Sequence, residues 1–300
     1  MKKILLFAAM LFLGVAAAAE PGIITKNYPL PDFDGIEASS VFRVDLSKDS
    51  RCGVSVQAPD YMEPYLNVKV VNGTLHLGIE KMPVDIQRKL NKETEKVWAT
   101  VSMPSVRRIS LSGSSKLIAY HPFVEKGEFR LTMSGASHAE GLSVEAPESR
   151  IELSGAAKCQ FSGVFGKMVL RCSGASKMDV GQINVPDMDL ELSGASKLTM
   201  DGIFNKIEAG ASGASKAEIS SAQTLSDLDV EASGAARLLM ENLPAETVRV
   251  DLSGTGFCKV HPINTIRIET SGASTCQYKA GPETDVRILS AGRGSSVSRL

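Results

Sequence analysis

One short phrase, written again and again, constrains this chain more than any other feature. Leu153-Ser154-Gly155-Ala156-Ala157-Lys158-Cys159 reappears as Cys172-Ser173-Gly174-Ala175-Ser176-Lys177-Met178 and as Leu192-Ser193-Gly194-Ala195-Ser196-Lys197-Leu198. Its central glycine falls at Gly113, Gly135, Gly155, Gly174, Gly194, Gly213, Gly234, Gly254 and Gly272, with a worn copy at Gly292. Successive intervals run from 18 to 22 residues. A period near twenty, held over so many copies, marks a solenoid. A single turn cannot bury its own apolar face and becomes stable only when stacked on its neighbours.

Counted from the central glycine, four columns stay mostly apolar. Position −4 carries Ile109, Leu131, Ile151, Leu170 and Leu190, and position −2 carries Leu111, Met133, Leu153, Cys172 and Leu192. Position +4 carries Leu117, Ala139, Cys159, Met178 and Leu198, and position +6 includes Phe161, Val180 and Met200. This even spacing predicts two short strands per turn, each pointing alternately in and out. Ser-Gly-Ala-Ser is then the corner between them. Glycine there supplies a backbone conformation, or a close approach, that a Cβ would forbid. The serine before the glycine is expected to bond corner backbone groups. Stacked turns predict parallel strands about 4.8 Å apart and a rod of roughly 45 Å. The LxxLxL core of a leucine-rich horseshoe is absent, and a propeller blade needs about forty residues. The fold class is therefore all-β, a parallel β-helix (β-solenoid).

Residues 20–106 lack the phrase but still read as strands. Val41 to Leu46 and Gly53 to Ala58 alternate apolar with polar. Asn72-Gly73, between two alternating runs, predicts a tight hairpin. Pro83 to Leu90 predicts a short surface helix opened by proline. This region is expected to be a β-rich N-terminal cap, continuous with the repeats of residues 107–300.

Residues 1–19 have the features of a signal peptide. Lys2-Lys3 precede an apolar run from Ile4 to Val15, and Ala17-Ala18-Ala19 stands before Glu20. Without that leader, 31 basic residues face 34 acidic ones, a net charge of −3. This excludes the basic surplus expected of a nucleic-acid partner. No second apolar run of spanning length follows. An exported protein without a transmembrane span is expected, in the periplasm, on the outer-membrane surface or outside the cell. The five cysteines, Cys52, Cys159, Cys172, Cys258 and Cys276, show no CxxC spacing and read as small buried residues. Cys258 and Cys276 share column +4 on successive turns, which suits either a disulfide or stacked thiols.

Two outward columns carry charge. Position +3 holds Lys116, His138, Lys158, Lys177, Lys197, Lys216 and Arg237. Cations about 5 Å apart repel by roughly 3 kcal/mol at an effective dielectric of 20 and by under about 1 kcal/mol in water. Glu140, Asp179 and Glu218 at +5 are the expected partners on the same face. The same row would form a ridge able to dock an anionic polymer such as an acidic glycan or lipopolysaccharide. Position −3 holds Glu152, Glu191, Glu231, Asp251 and Glu269, with Arg249, Arg267 and Arg287 two residues away at −5. Clustered carboxylates can cleave glycosidic bonds or bind Ca²⁺. With arginines beside them, they are expected to form a balanced ion-pair lattice. No Ser-His-Asp, HExxH, GxSxG or P-loop pattern appears, and no cofactor or metal is implied.

The SGxxK repeat, the run Val101 to Gly113 that leads into it, and the stretch Tyr65 to Leu77 resemble the GIN-domain family of auto-transporter adhesin head domains, found in exported Bacteroidetes proteins. The resemblance covers about residues 28 to 290. It implies a right-handed parallel β-helix and brings no catalytic residues with it. The expected function is an adhesin-like binding or structural scaffold of the cell envelope, without catalysis. A carbohydrate-active lyase or hydrolase is the alternative. Lys116, Lys158, Lys177, Lys197, Lys216 and Arg237 are the candidate ligand-binding residues, for an anionic glycan or another cell-surface component. The open end of the last turn is an exposed strand edge of the kind that supports homo-oligomerisation.

Overall fold

A computed structural model describes residues 22–92 and 97–300; the expected signal peptide lies outside the described residues. Its core is a stack of parallel turns. From Arg108 onward each turn pairs in register with the next, Leu131 on Ile151, Ile151 on Leu170 and Leu170 on Leu190. The four apolar columns point inward as the alternation predicts, and Ile109, Leu131, Ile151, Leu170 and Leu190 are fully buried. Each large aliphatic buried in this way contributes roughly 1.5–3 kcal/mol. A ladder of aromatic rings fills one side of the interior. Phe129 stacks on Phe161 at 6.2 Å, and Phe161 on Phe165 at 5.6 Å.

The corner explains the glycine. In Gly174 the backbone adopts φ 68°, the left-handed region that a Cβ disfavours. A Cβ at Gly174 would also stand 2.6 Å from the carbonyl oxygen of Gly155 and 2.9 Å from its nitrogen. That carbonyl accepts a 2.7 Å hydrogen bond from the N–H of Ala175. The same bond recurs up the stack, from Ala195 to Gly174 and from Ala214 to Gly194. Each corner therefore sits directly on the backbone of the one before it.

The N-terminal region contributes turns to the same stack, out of chain order. Its strands are β1 (Ile23–Asn27), β2 (Gly35–Ala38), β3 (Phe42–Lys48), β4 (Gly53–Pro59), β5 (Leu66–Val71), β6 (Thr74–Ile79) and β7 (Val97–Met103). The first repeat follows as β8 (Arg108–Leu111) and β9 (Lys116–Ala119). β2 lies parallel between β6 and β8, and β3 lies parallel between β7 and β9. β2 and β3 thus form a complete turn with Ser40 in the glycine position, at φ 63°. β6 and β7 form the outermost turn. There α1 (Val84–Lys92), opening just after Pro83, replaces the tight corner and buries Leu90. β5, β4 and β1 cover this end with antiparallel pairings. The β5–β6 hairpin turns at Asn72 (φ 49°) and Gly73 (φ 73°). At the opposite end Asp285–Ala291 and Ser296–Arg299 each pair on one side only. Ile288, at position −4 from Gly292, is 50% exposed there, on a strand paired on one side only.

The corner serines divide into two kinds. Ser154 and Ser173, before the glycine, donate to carbonyls of the preceding turn at 3.3 and 3.4 Å. The serine two residues after the glycine points inward. Ser196 is fully buried, and its hydroxyl has no hydrogen-bond partner among the described residues. The same column holds alanine at Ala157 and Ala236. A buried hydroxyl without a partner costs about 1–3 kcal/mol. Ser196→Ala is therefore expected to raise stability by about 1 kcal/mol in chemical denaturation. A loss of that size would mean that the hydroxyl is bonded.

The cysteines are free thiols. Cys258 and Cys276 face each other in register on adjacent turns, sulfur to sulfur at 3.5 Å. The contact with Cys276, together with burial, holds the Cys258 thiol well above its ordinary pKa. Burial pushes Cys172 up to about 12 and raises Cys159 as well. These groups are packing atoms rather than nucleophiles.

Candidate functional site

Alternation along each strand turns position +3 outward, and parallel register places successive copies one above another. Lys116, His138, Lys158, Lys177, Lys197, Lys216 and Arg237 form one continuous in-register row. All six candidate binding residues stand on it. The row also extends further than the repeated phrase reveals. Arg43 of β3 pairs in register with Lys116, and Trp98 of β7 pairs with Arg43. The Arg43 guanidinium lies 3.8 Å from the Trp98 ring centroid, and the Trp98 indole N–H donates to Asp45. With no SGAS phrase around it, Arg43 could be found only through the matching alternation of Ile36-Glu37-Ala38 and Val44-Asp45-Leu46. At the other end the row stops at Phe257.

The row is not uniformly charged. Glu140 receives Lys116 at 3.2 Å and His138 at 2.7 Å. The Lys116 hydrogen bond, more than any other influence, holds the Glu140 carboxyl below the usual carboxylate range. Lys177 meets Asp179 at 3.2 Å, Lys216 meets Glu218, and Arg43 meets Asp45 at 3.6 Å. Lys158, Lys197 and Arg237 are exposed and have no ion pair among the described residues. Beside this row, near the next bend, runs a shallow groove of about 530 Å³. Gln160, Ser162, Gln182 and Thr199 bring amides and hydroxyls to it, Asp179 and Asp201 bring carboxylates, and Leu142, Phe161 and Val180 make part of it apolar.

Across the corner lies the second charged column. A trough of about 710 Å³ follows it, lined by Glu152, Arg171, Glu191, Glu231 and Asp251 over the serine column. Arg171 donates to Glu191 at 2.8 Å, and that bond, above all, lowers the Glu191 pKa. The expected lattice fails at the C-terminal end. Arg249 turns to Asp229 at 3.9 Å and Arg287 to Asp285 at 2.7 Å, each within its own column or strand. Glu231, Asp251 and Glu269 are left exposed and in register on consecutive turns, without an ion pair among the described residues. Asp251, two along the same strand, shares a face with Arg249 just as Asp229 on the turn below does, and the rotamer of Arg249 faces Asp229. Among the described residues no group of three His, Cys, Asp or Glu could hold a metal ion. Also among them, no helix is long and apolar enough to cross a membrane.

Solved structures share this architecture. One, described as a putative adhesin from Parabacteroides distasonis, is 16% identical, with 93% of this chain and 97% of that one covered at a TM-score of 0.57. A second, described as a putative adhesin from Parabacteroides merdae, gives the same identity, coverage and score. A third, described as a putative lipid binding protein from Parabacteroides distasonis, is 14% identical over the same shares, at 0.51. At these identities the likeness speaks for the fold. Among curated proteins nothing matches the chain. Family membership comes from the sequence pattern itself, which matches over residues 32–200 and again over 168–282: the chain belongs to the family described as putative auto-transporter adhesin, head GIN domain.

Proposed function

We propose that this protein is an exported, non-catalytic scaffold of the cell envelope that binds anionic glycan along one side of its solenoid. The observation that carries this reading is the in-register row from Lys116 to Arg237, with lysine or arginine at every place but His138, in which Lys158, Lys197 and Arg237 are exposed and have no ion pair among the described residues. A flat face of fixed charges at a regular rise suits a linear polymer better than a small compact ligand, which calls for a concave pocket. Electrostatic attraction of this kind weakens steeply with salt. The family's description as an adhesin head favours binding over turnover.

The test is retention on an immobilised anionic polysaccharide, with a neutral dextran column as control. The mature protein is expected to be retained at low salt on the first column only and to elute as salt rises. Reversing Lys158, Lys177 and Lys197 together to glutamate is expected to abolish retention. Unchanged retention of that variant would refute the reading.

A second reading, cleavage of a polysaccharide, has one observation in its favour: the acidic run Glu231, Asp251 and Glu269, of which the first two line the trough. A glycosidase needs two carboxylates whose surroundings push their protonation apart. These three are all exposed, and among the described residues no inserted loop walls the trough. Release of reducing ends from a polysaccharide, lost in the Asp251→Asn variant, would establish this second reading.

A further inference from the structure

We infer that the cationic row selects an extended polysaccharide with one anionic group on every second sugar, an inference that rests on the glycan-binding reading above. It comes from the neighbouring column, at +5. Acids stand there on alternate turns: Asp45, Glu140, Asp179 and Glu218. The turns between carry Ile118, Gln160, Thr199 and Leu239. The register places these residues in two runs, Asp45 on Ile118 and Ile118 on Glu140, then, past a bulge after Ala139, Gln160 through Asp179, Thr199 and Glu218 to Leu239.

From Lys158 to Arg237 the alternation leaves a free cation on every second turn; at the start of the row Lys116, whose own +5 residue is Ile118, is taken instead by Glu140 of the next turn. Lys177 and Lys216 are neutralised by their own strands, through Asp179 and Glu218. Lys158, Lys197 and Arg237 lie on the turns whose +5 residue is neutral, and they keep their charge for something else. At about 4.8 Å per turn they are spaced by about 10 Å. This is a pitch commensurate with the two-sugar repeat of an extended glycan.

A polymer charged on every sugar would set half of its anions against Asp179 and Glu218. Like charges brought together in this way oppose binding. A polymer charged on alternate sugars meets only the free cations. Its neutral sugars then lie over the paired turns and beside the groove. There Gln160, Ser162, Gln182 and Thr199 offer donors and acceptors that sugar hydroxyls can use, and the Asp179 and Asp201 carboxylates accept from hydroxyls while opposing a second anion. The groove spans the same turns as Lys158 to Lys197, so charge and hydrogen-bonding surface coincide.

The experiment compares size-matched hyaluronate, with a carboxylate on alternate sugars, and polygalacturonate, with one on every sugar. Titrations of the mature chain use equal carboxylate concentration and low salt. Hyaluronate is expected to bind about tenfold more tightly. In the Asp179→Asn, Glu218→Gln double variant, the affinity for polygalacturonate is expected to rise about tenfold and the preference to disappear. Equal binding of both polymers by the unaltered protein, or a preference for polygalacturonate, overturns the spacing rule and leaves anionic-glycan binding standing. Failure of both polymers to bind overturns the binding reading, and the spacing rule with it.

Discussion

Gly174→Val is expected to destabilise the protein by about 3–5 kcal/mol, among the largest effects of any single substitution in this chain. Two costs combine. A left-handed backbone costs a residue with a Cβ about 1–2 kcal/mol, and valine, branched at Cβ, tolerates it worst. In addition, the new Cβ would lie 2.6 Å from the Gly155 carbonyl oxygen, a backbone atom fixed by its bond from Ala175. Relief requires the two turns to part, and every turn in a solenoid depends on its neighbours. Guanidinium unfolding followed by far-ultraviolet circular dichroism measures the loss. A change below about 1 kcal/mol would contradict the stacking account. Ser40→Gly is the matching control. Ser40 already holds φ 63°, so glycine there relieves strain while adding unfolded-state entropy. The expected result is neutral to about 1 kcal/mol more stable.

The contrast between Gly174 and Ser40 also shows what was legible in the sequence. Wherever glycine marks the corner, the strand pairs, the inward columns and the outward row follow from counting two residues at a time. Ser40 breaks the spelling of the phrase but not its geometry, so the β2–β3 turn is hidden although Ile36, Ala38, Val44 and Leu46 keep the pattern. Chain order conceals the rest. Nothing local tells β2 that its neighbours are β6, further along the chain, and β8, further still. That arrangement depends on the cap strands and on α1 replacing a corner. The hairpin at Asn72-Gly73 and the helix after Pro83 were legible because their signals are local.

The charged columns were legible as columns and less so as pairs. Partners two residues apart on one strand, such as Lys177 and Asp179, follow from alternation alone. Arg249 faces Asp229, in register across the sheet, although Asp251 on its own strand shares that face. Such choices are side-chain reach and rotamer, which spacing does not encode. Arg43 and Trp98 join the row only through the out-of-order stacking of β3 and β7.

The second large effect concerns binding. Lys158, Lys197 and Arg237 hold the free charge of the row, so neutralising them together should remove the attraction while leaving the inward columns untouched. All three are exposed, and exposed substitutions away from special features change stability by within about 0.5 kcal/mol. A loss of binding would thus not reflect unfolding. Lys69, Lys81 and Arg88, exposed in the N-terminal cap, provide a control with the same change in net charge. The most direct measurement is therefore salt-gradient retention on immobilised hyaluronate of the Lys158→Gln, Lys197→Gln, Arg237→Gln variant beside the Lys69→Gln, Lys81→Gln, Arg88→Gln variant. Flow-through of the first with undiminished retention of the second is the result expected of a binding row; equal behaviour of the two would contradict it.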